Sequence, residues 1–158
     1  MDNLLIRKAK SKDLEELLKM NIEFIDTMGQ YYKEKNKKKW NKNTLNSVKK
    51  ALSRRLRNKK ETVLIAEKQG QIVGYAGGSI EKEYYSRSKF GSIDDIFIKK
   101  EFRRSSIGEK LLSGLIKQML RRGAREFNAS VAVRNKASRK LLMKFGFYEH
   151  SFVYTKHI

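Results

Sequence analysis

A chain of 158 residues fits one domain and can bury roughly 68–70% of its unfolded surface, so residues 1–158 are read as a single unit with its own core. Cysteine is absent, which excludes disulfides, thiolate catalysis and cysteine-based zinc sites; with only His150 and His157, a histidine-rich metal site is not expected. The net charge of +20 is uneven: Lys33 to Lys60 holds 13 Lys or Arg against one acid, Glu34, and so supplies +12 of it.

In chain order, Leu5 to Ala9 reads as a first strand. Ser11 is the expected N-cap of a helix whose apolar face is Leu14, Leu17, Leu18 and Ile22, with Asp13, Glu15 and Glu16 suiting its first turn and Met28-Gly29 its end. The tract KEKNKKKWNKN is too polar for core and reads as a loop with Trp40 as its one anchor. Leu45, Val48, Leu52 and Leu56 recur at helical spacing, opposite a basic face of Lys49, Lys50, Arg54, Arg55 and Arg57. Thr62–Glu67 and Gln71–Ile80 are strand-like and joined by the turn Lys68-Gln69-Gly70, with Glu81 to Tyr85 extending the second strand. Gly74, Gly77 and Gly78 signal a bulge or a close ligand approach. A strand from Ser92 to Lys99, a helix from Ser106 to Arg122 stopped by Gly123, and a strand from Glu126 to Val133 follow. Asn135 opens a helix ending at Gly146, and Phe147 to Lys156 alternates enough for one or two closing strands.

The most informative stretch is Ile93 to Gly108, IDDIFIKKEFRRSSIG. Asp94 and Asp95 interrupt an apolar run, and Arg103-Arg104-Ser105-Ser106-Ile107-Gly108 opens a helix. The first turn of a helix carries unpartnered N–H groups and partial positive charge, so small residues and arginines there suit a diphosphate. This segment resembles the Q/R-x-x-G-x-G/A acyl-CoA motif of the GCN5-related N-acetyltransferases, with Ser106 where glycine is usual. Asn135-Lys136-Ala137-Ser138 followed by Leu141 to Phe147 is similar to that family's Asn-x-x-Ala-x-x-Leu-Tyr-x-x-x-Gly-Phe block, in the expected order. The resemblance runs from Leu5 to the last expected strands. It implies an α/β fold with a mixed, mostly antiparallel sheet whose fourth and fifth strands splay apart, flanked by about four helices.

The resemblance also implies a reaction: transfer of an acetyl group from acetyl-CoA to a primary amine, with no metal. The ammonium must lose a proton (about 10.4 for a lysine-like amine, about 8 for an α-amine), a thioester oxygen needs donors, and a thiolate must leave. Asp94 is the expected general base, direct or through water, since relatives such as the spermidine/spermine acetyltransferases carry Glu-Asp-Phe-Phe-Val where this chain has Asp94-Asp95-Ile96-Phe97-Ile98. Strand alternation puts Ser92, Asp94 and Ile96 on one face and Asp95 and Phe97 on the other, so one acid alone would face the acceptor. A salt bridge to an arginine is the competing role for Asp94, and a purely structural one for Asp95.

By the same resemblance the strand Ile96, Phe97 and Ile98 holds the pantetheine through its backbone, Arg103 to Glu109 receive the pyrophosphate, and Asn135 and Ser138 complete the cosubstrate set. One departure stands out. The position where many relatives carry a tyrosine general acid is Leu142; Tyr148 is the expected substitute, with Tyr84, Tyr85 and Tyr154 as others. A thiol near 8.5 leaves fairly well, so the loss costs within the roughly 10²–10⁴ of acid–base assistance.

The acceptor is left open between a small amine or polyamine and a protein amine. Glu81, Glu83, Asp94 and Asp95 could form an acidic mouth, whereas an acidic protein would suit the basic second helix. A second reading takes Lys33–Lys60 as a nucleic-acid face on a regulatory CoA-binding protein, although aromatics beside it are few: Tyr31, Tyr32 and Trp40. No apolar run reaches the roughly 18 residues of a membrane helix, and MDNLLIRKAK has no leader-like core, so the protein is expected to be cytoplasmic, a monomer or homodimer, without membrane partners.

Overall fold

The computed structural model describes residues 3–31, 40–85, 88–151 and 153–154. Five strands form one sheet in the order β1-β2-β3-β4-β5. They are β1 (Leu4–Lys8), β2 (Glu61–Lys68), β3 (Gln71–Lys82), β4 (Lys89–Ile98) and β5 (Glu126–Ala129). The first four pair antiparallel and β5 runs parallel to β4. This is the mixed α/β sheet the sequence leads one to expect. Four helices flank it: α1 (Leu14–Tyr31) and α2 (Lys42–Arg57) on one face, and α3 (Ile107–Arg121) on the other, where α4 (Lys136–Lys144) packs at its edge.

Strand alternation divides the interior. Val63 and Ile65 of β2 join Leu17, Met20, Tyr75 and Phe97 under α1, whereas Leu64 and Ala66 join Val73, Ala76, Ile93 and the stripe Leu111, Leu112, Leu115 and Met119 of α3. The β2–β3 turn takes positive φ at both Gln69 (51°) and Gly70 (76°), the two-residue turn whose twist suits a hairpin.

Local chemistry moves several expected boundaries. Asp13, not Ser11, closes the first helical turn: its Oδ2 accepts from the Lys10 N–H at 2.7 Å, and Ser11–Asp13 is a 3-10 turn leading into α1. Helix α1 runs through Gly29 to Tyr31. Residues 32–39, most of the lysine tract, lie outside the described residues. Trp40 does anchor its end, its indole N–H donating to Asp26 Oδ1 at 3.0 Å. A capping box starts α2, with Asn41 and Thr44 each bonding the other's backbone N–H. Strand β3 stops at Lys82, so Tyr84 and Tyr85 are not part of it. They stand exposed with ring centroids 4.9 Å apart.

At the far edge, β5 covers only Glu126–Ala129 rather than reaching Val133, and the described residues of 147–156 form no strand. Of the described apolar residues there, only Phe147 packs against the core, while Tyr148, Val153 and Tyr154 are exposed. No helix among the described residues is long and apolar enough to cross a membrane.

Candidate functional site

Strands β4 and β5 pair only from Phe90↔Glu126 to Ile93↔Ala129. Beyond that point they part. The reason lies in β4, where Gly77 faces Asp95 but Gly78 faces Ile93, leaving Asp94 as the extra residue of a bulge. The bulge changes the phase of the strand. Ile93 before it and Ile96 and Ile98 after it all face α3, while Asp95 and Phe97 turn toward α1 and α2. The simple alternation that separated Asp94 from Asp95 therefore fails at this position, and the two acids sit side by side on one partner.

The gap is a cleft of about 230 Å³. Its walls are the bulge residues Asp94 and Asp95, the β5 exit from Ala129 to Val131, the α4 residues Leu141 and Leu142, and Phe24 and Met28 of α1. Asn135 and Ser138 also line it, and Asn135 Oδ1 caps α4 by accepting from the Ser138 N–H at 3.1 Å. On the other side of β4, Lys99 N–H bonds Val73 O. Alternation then sends the backbone groups of Phe97 toward β3 and those of Ile96 and Ile98 toward the gap.

Along the chain, β4 runs from the cleft wall into the start of α3. Arg104 adopts φ +59°, a left-handed turn that swings the chain from β4 into the helix. Arg103 folds back over the strand end, its Nε donating to Ile98 O at 2.9 Å and its guanidinium 5.7 Å from the Phe97 ring centre. Ser105 Oγ donates to Phe102 O at 2.6 Å. The first helical bond is Lys110 N–H to Ser106 O, so the N–H groups of Ile107, Gly108 and Glu109 precede it. Ser106 is exposed at the tip. The packing at Gly108 is close as well. A Cβ there would lie 3.1 Å from Ile98 Cδ1 and 3.5 Å from Leu141 Cδ2, so it lets α3 dock on β4 and α4.

The acid pair is held by one arginine from α2. Arg55 donates through Nε to Glu61 Oε2 (2.5 Å), through Nη1 to Asp95 Oδ2 (2.9 Å) and through Nη2 to Asp94 Oδ2 (2.9 Å). Asp94 is 39% exposed and its Oδ1 accepts from Ser92 Oγ at 2.8 Å. Asp95 is 5% exposed; its Oδ1 lies 2.8 Å from Arg55 Nη1 without a hydrogen bond of its own. Burial pushes the Asp95 carboxyl above its ordinary value, with Arg55 opposing. Next to it, Tyr75 of β3 accepts from Asn21 Nδ2 at 2.9 Å, and burial followed by the Asp95 charge push its phenol up.

Other expected groups do not converge on the cleft. Leu142 lines it, and Tyr148 is 80% exposed beyond α4, its ring against His150. Tyr84, Tyr85 and Tyr154 are exposed as well. Glu81 and Glu83 stand at the end of β3, outside the lining. Among the described residues no group of three His, Cys, Asp or Glu is disposed to hold a metal. Two residues outside the expected set join the site: Tyr75, and Arg55, which the helical spacing groups with the basic face of the second helix but which is only 15% exposed.

The fold is a mixed α/β sheet in which a bulged fourth strand, leading into a basic helix start, parts from a short parallel fifth. The chain belongs to the acetyltransferase (GNAT) family, whose model matches residues 23–147. A relative from Archaeoglobus fulgidus, described as an uncharacterized N-acetyltransferase, is 30% identical over 121 residues, 74% of each chain. Among solved structures, a transcriptional regulator from Bacillus halodurans superposes with a TM-score of 0.81 at 19% identity, over 99% of this chain and 100% of that one. Aminoglycoside N-acetyltransferase AAC(6')-Iy in complex with CoA gives 0.77 at 19%, over 100% and 96%. A predicted acetyltransferase with acetyl-CoA from Clostridium acetobutylicum gives 0.77 at 18%, over 98% and 96%.

Proposed function

We propose that this protein transfers the acetyl group of acetyl-CoA to a primary amine, with Asp94 as the general base. One observation carries the reading: the β4 bulge puts a partly exposed carboxylate on the wall of a cleft that Ile96 also lines, on the strand that leads into the N-terminus of α3. These groups suit the cosubstrate, since unpaired strand amides match a pantetheine arm and the first turn of α3, with Arg103 and Arg104 beside it, suits a diphosphate.

Acetyl-CoA brings an activated acyl group whose C–S bond breaks as the new C–N bond forms. The chain's part is to place the amine and take its proton. Asp94 accepts that proton directly or through a water, while Ser92 and Arg55 fix its carboxylate. The backbone of Ile96 and Ile98 orients the thioester arm. Leu142 offers no proton to the departing sulfur, which leaves as thiolate.

The test is a panel of primary amines, including an aminoglycoside, a polyamine and a peptide N-terminus, incubated with acetyl-CoA while released thiol and acetylated product are measured. Acetylation of at least one amine, with acetyl-CoA retained in native mass spectrometry, is the expected result. No retention of acetyl-CoA and no thiol release above blank would overturn it. Ser106→Glu, which places a negative charge at the tip of α3, should weaken acetyl-CoA binding about tenfold without unfolding the protein.

A further inference from the structure

We propose that Arg55 is a positioning residue for acetyl transfer, a three-way clamp that binds the two acids of the β4 bulge together with Glu61 and aims Asp94 into the cleft. The proposal rests on the acetyltransferase reading above.

Three features support it. First, each nitrogen of the guanidinium serves a different carboxylate, Glu61 from β2, Asp95 and Asp94 from β4, although the side chain arrives from another element, α2. Second, the sheet makes room for it. A Cβ at Gly77 would lie 2.5 Å from Arg55 Nη2 and 2.7 Å from Asp95 Oδ1, so glycine at the bulge is what lets the clamp close on the strand. Third, three carboxylates face one guanidinium, which leaves the cluster short of positive charge in a chain of net +20. Carboxylates crowded in this way repel one another, and burial further disfavours the ionised form. Without Arg55 the pair would take up a proton at higher pH, and a protonated carboxyl cannot accept one from an ammonium.

The groups facing the clamp are Glu61 on β2, Tyr75 on β3, Ser92, Asp94 and Asp95 on β4, and Asn21 of α1 through the Tyr75 hydroxyl. Tyr75 stays neutral through the working range, because its phenol is pushed up. The charge on the acids is therefore governed by Arg55 and Glu61 with opposite signs. Removing the guanidinium must shift activity loss toward higher pH. Removing the Glu61 charge must shift it toward lower pH.

The experiment compares Arg55→Gln, Arg55→Lys and Glu61→Gln by kcat, both KM values, and the pH profile of kcat/KM for the best amine of the panel. Arg55→Gln should lower kcat by about 10–100-fold, leave acetyl-CoA KM within about twofold, and move the acid limb of the profile upward by about one pH unit. Arg55→Lys should restore the limb but only part of kcat, since a point charge cannot serve three carboxylates. Glu61→Gln, which keeps the clamp and its charge, should move the limb the other way. A folded Arg55→Gln protein with wild-type kcat and profile would overturn the proposal, as would same-direction shifts in Arg55→Gln and Glu61→Gln.

Thermal unfolding as a function of pH supplies a readout independent of activity: acidification should narrow the gap between Arg55→Gln and wild type as Asp95, whose carboxyl is pushed up by burial, protonates. If that narrowing occurs while Asp94→Asn stays fully active, the clamp stands and the base assignment falls. If Asp94→Asn is inactive and neither the profile nor the unfolding gap moves, the clamp falls and the base assignment stands.

Discussion

Two arginines in this protein hold carboxylates from neighbouring elements, and they do so with opposite results. Arg7 of β1 makes a two-pronged bond to Asp13, through Nη1 at 2.8 Å and Nη2 at 2.9 Å, and donates Nε to Glu67 at 2.8 Å. The fork matches the carboxylate, and Asp13 also accepts the Lys10 N–H. The Arg7 bond, above all, holds the Asp13 carboxyl below its ordinary range despite burial. Arg55 divides the same fork among three acids. Asp95 receives one bond, keeps an oxygen without any, and is pushed up. The first cluster is a satisfied joint between β1 and the turn before α1. The second is under-neutralised, beside a cleft, and built around a bulge. On the function proposed, the contrast separates an ion pair that holds a fold from one that sits beside a reacting group.

The largest expected effect breaks the comparison at its functional end. Asp94→Asn keeps the shape of the side chain and removes its capacity to take a proton, so kcat/KM should fall by about 10–1000-fold with acetyl-CoA affinity nearly unchanged. An equal selective loss in Asp95→Asn would exchange the two roles. Next comes Arg7→Ala, which strands a buried Asp13 and should cost about 3 kcal/mol, a fall in Tm on the order of 6–12 °C, with kcat of the folded protein intact.

The third expectation sets Asp13→Asn against Asp95→Asn in unfolding experiments over pH. Because the folded Asp13 value lies below its ordinary 3.8, its contribution is present above about pH 4 and is lost as pH falls through the folded value. Wild type should exceed Asp13→Asn at pH 6 and converge with it in acid. Asp95 has the reverse sign: its folded value is raised, so holding it ionised costs stability that grows as pH rises. Asp95→Asn should therefore be tolerated at neutral pH, within about 1 kcal/mol. The smallest effect is Tyr75→Phe, which removes one hydrogen bond from Asn21 and should cost about 1 kcal/mol with little change in rate.

Much of this was legible in the sequence. The acids at 94 and 95, the basic helix start, the two-residue hairpin turn and the Asn135 cap are all short-range signals. What escaped was set by pairing between strands. A bulge at Asp94 cannot be placed from β4 alone, because its cause is the register with Gly77 and Gly78 on β3, where the glycines had suggested a bulge or a ligand without saying which. Arg55 carried a signal that was overlooked. It lies three residues after Leu52 and seven after Val48, on the apolar stripe of α2 rather than opposite it, and a cation on such a stripe requires an anionic partner in the interior. The closing strands expected over 147–156, of which the described residues form none, had no comparable signal: alternation describes a strand's faces and says nothing of whether a neighbour is there to pair with it.

The indole of Trp40 has a use that its packing alone does not suggest. It is the one tryptophan in the chain, and its hydrogen bond fastens it to Asp26, on the same stretch of α1 that gives Phe24 and Met28 to the wall of the cleft. Excitation at the red edge of the protein's absorbance thus addresses a single fluorophore, hydrogen-bonded to a residue two positions along α1 from Phe24 and from Met28, which border the cleft. A change in its emission as an acceptor amine is titrated would follow occupancy without a label, and at Asp26→Ala, where the tether is cut, the same titration would lose its signal.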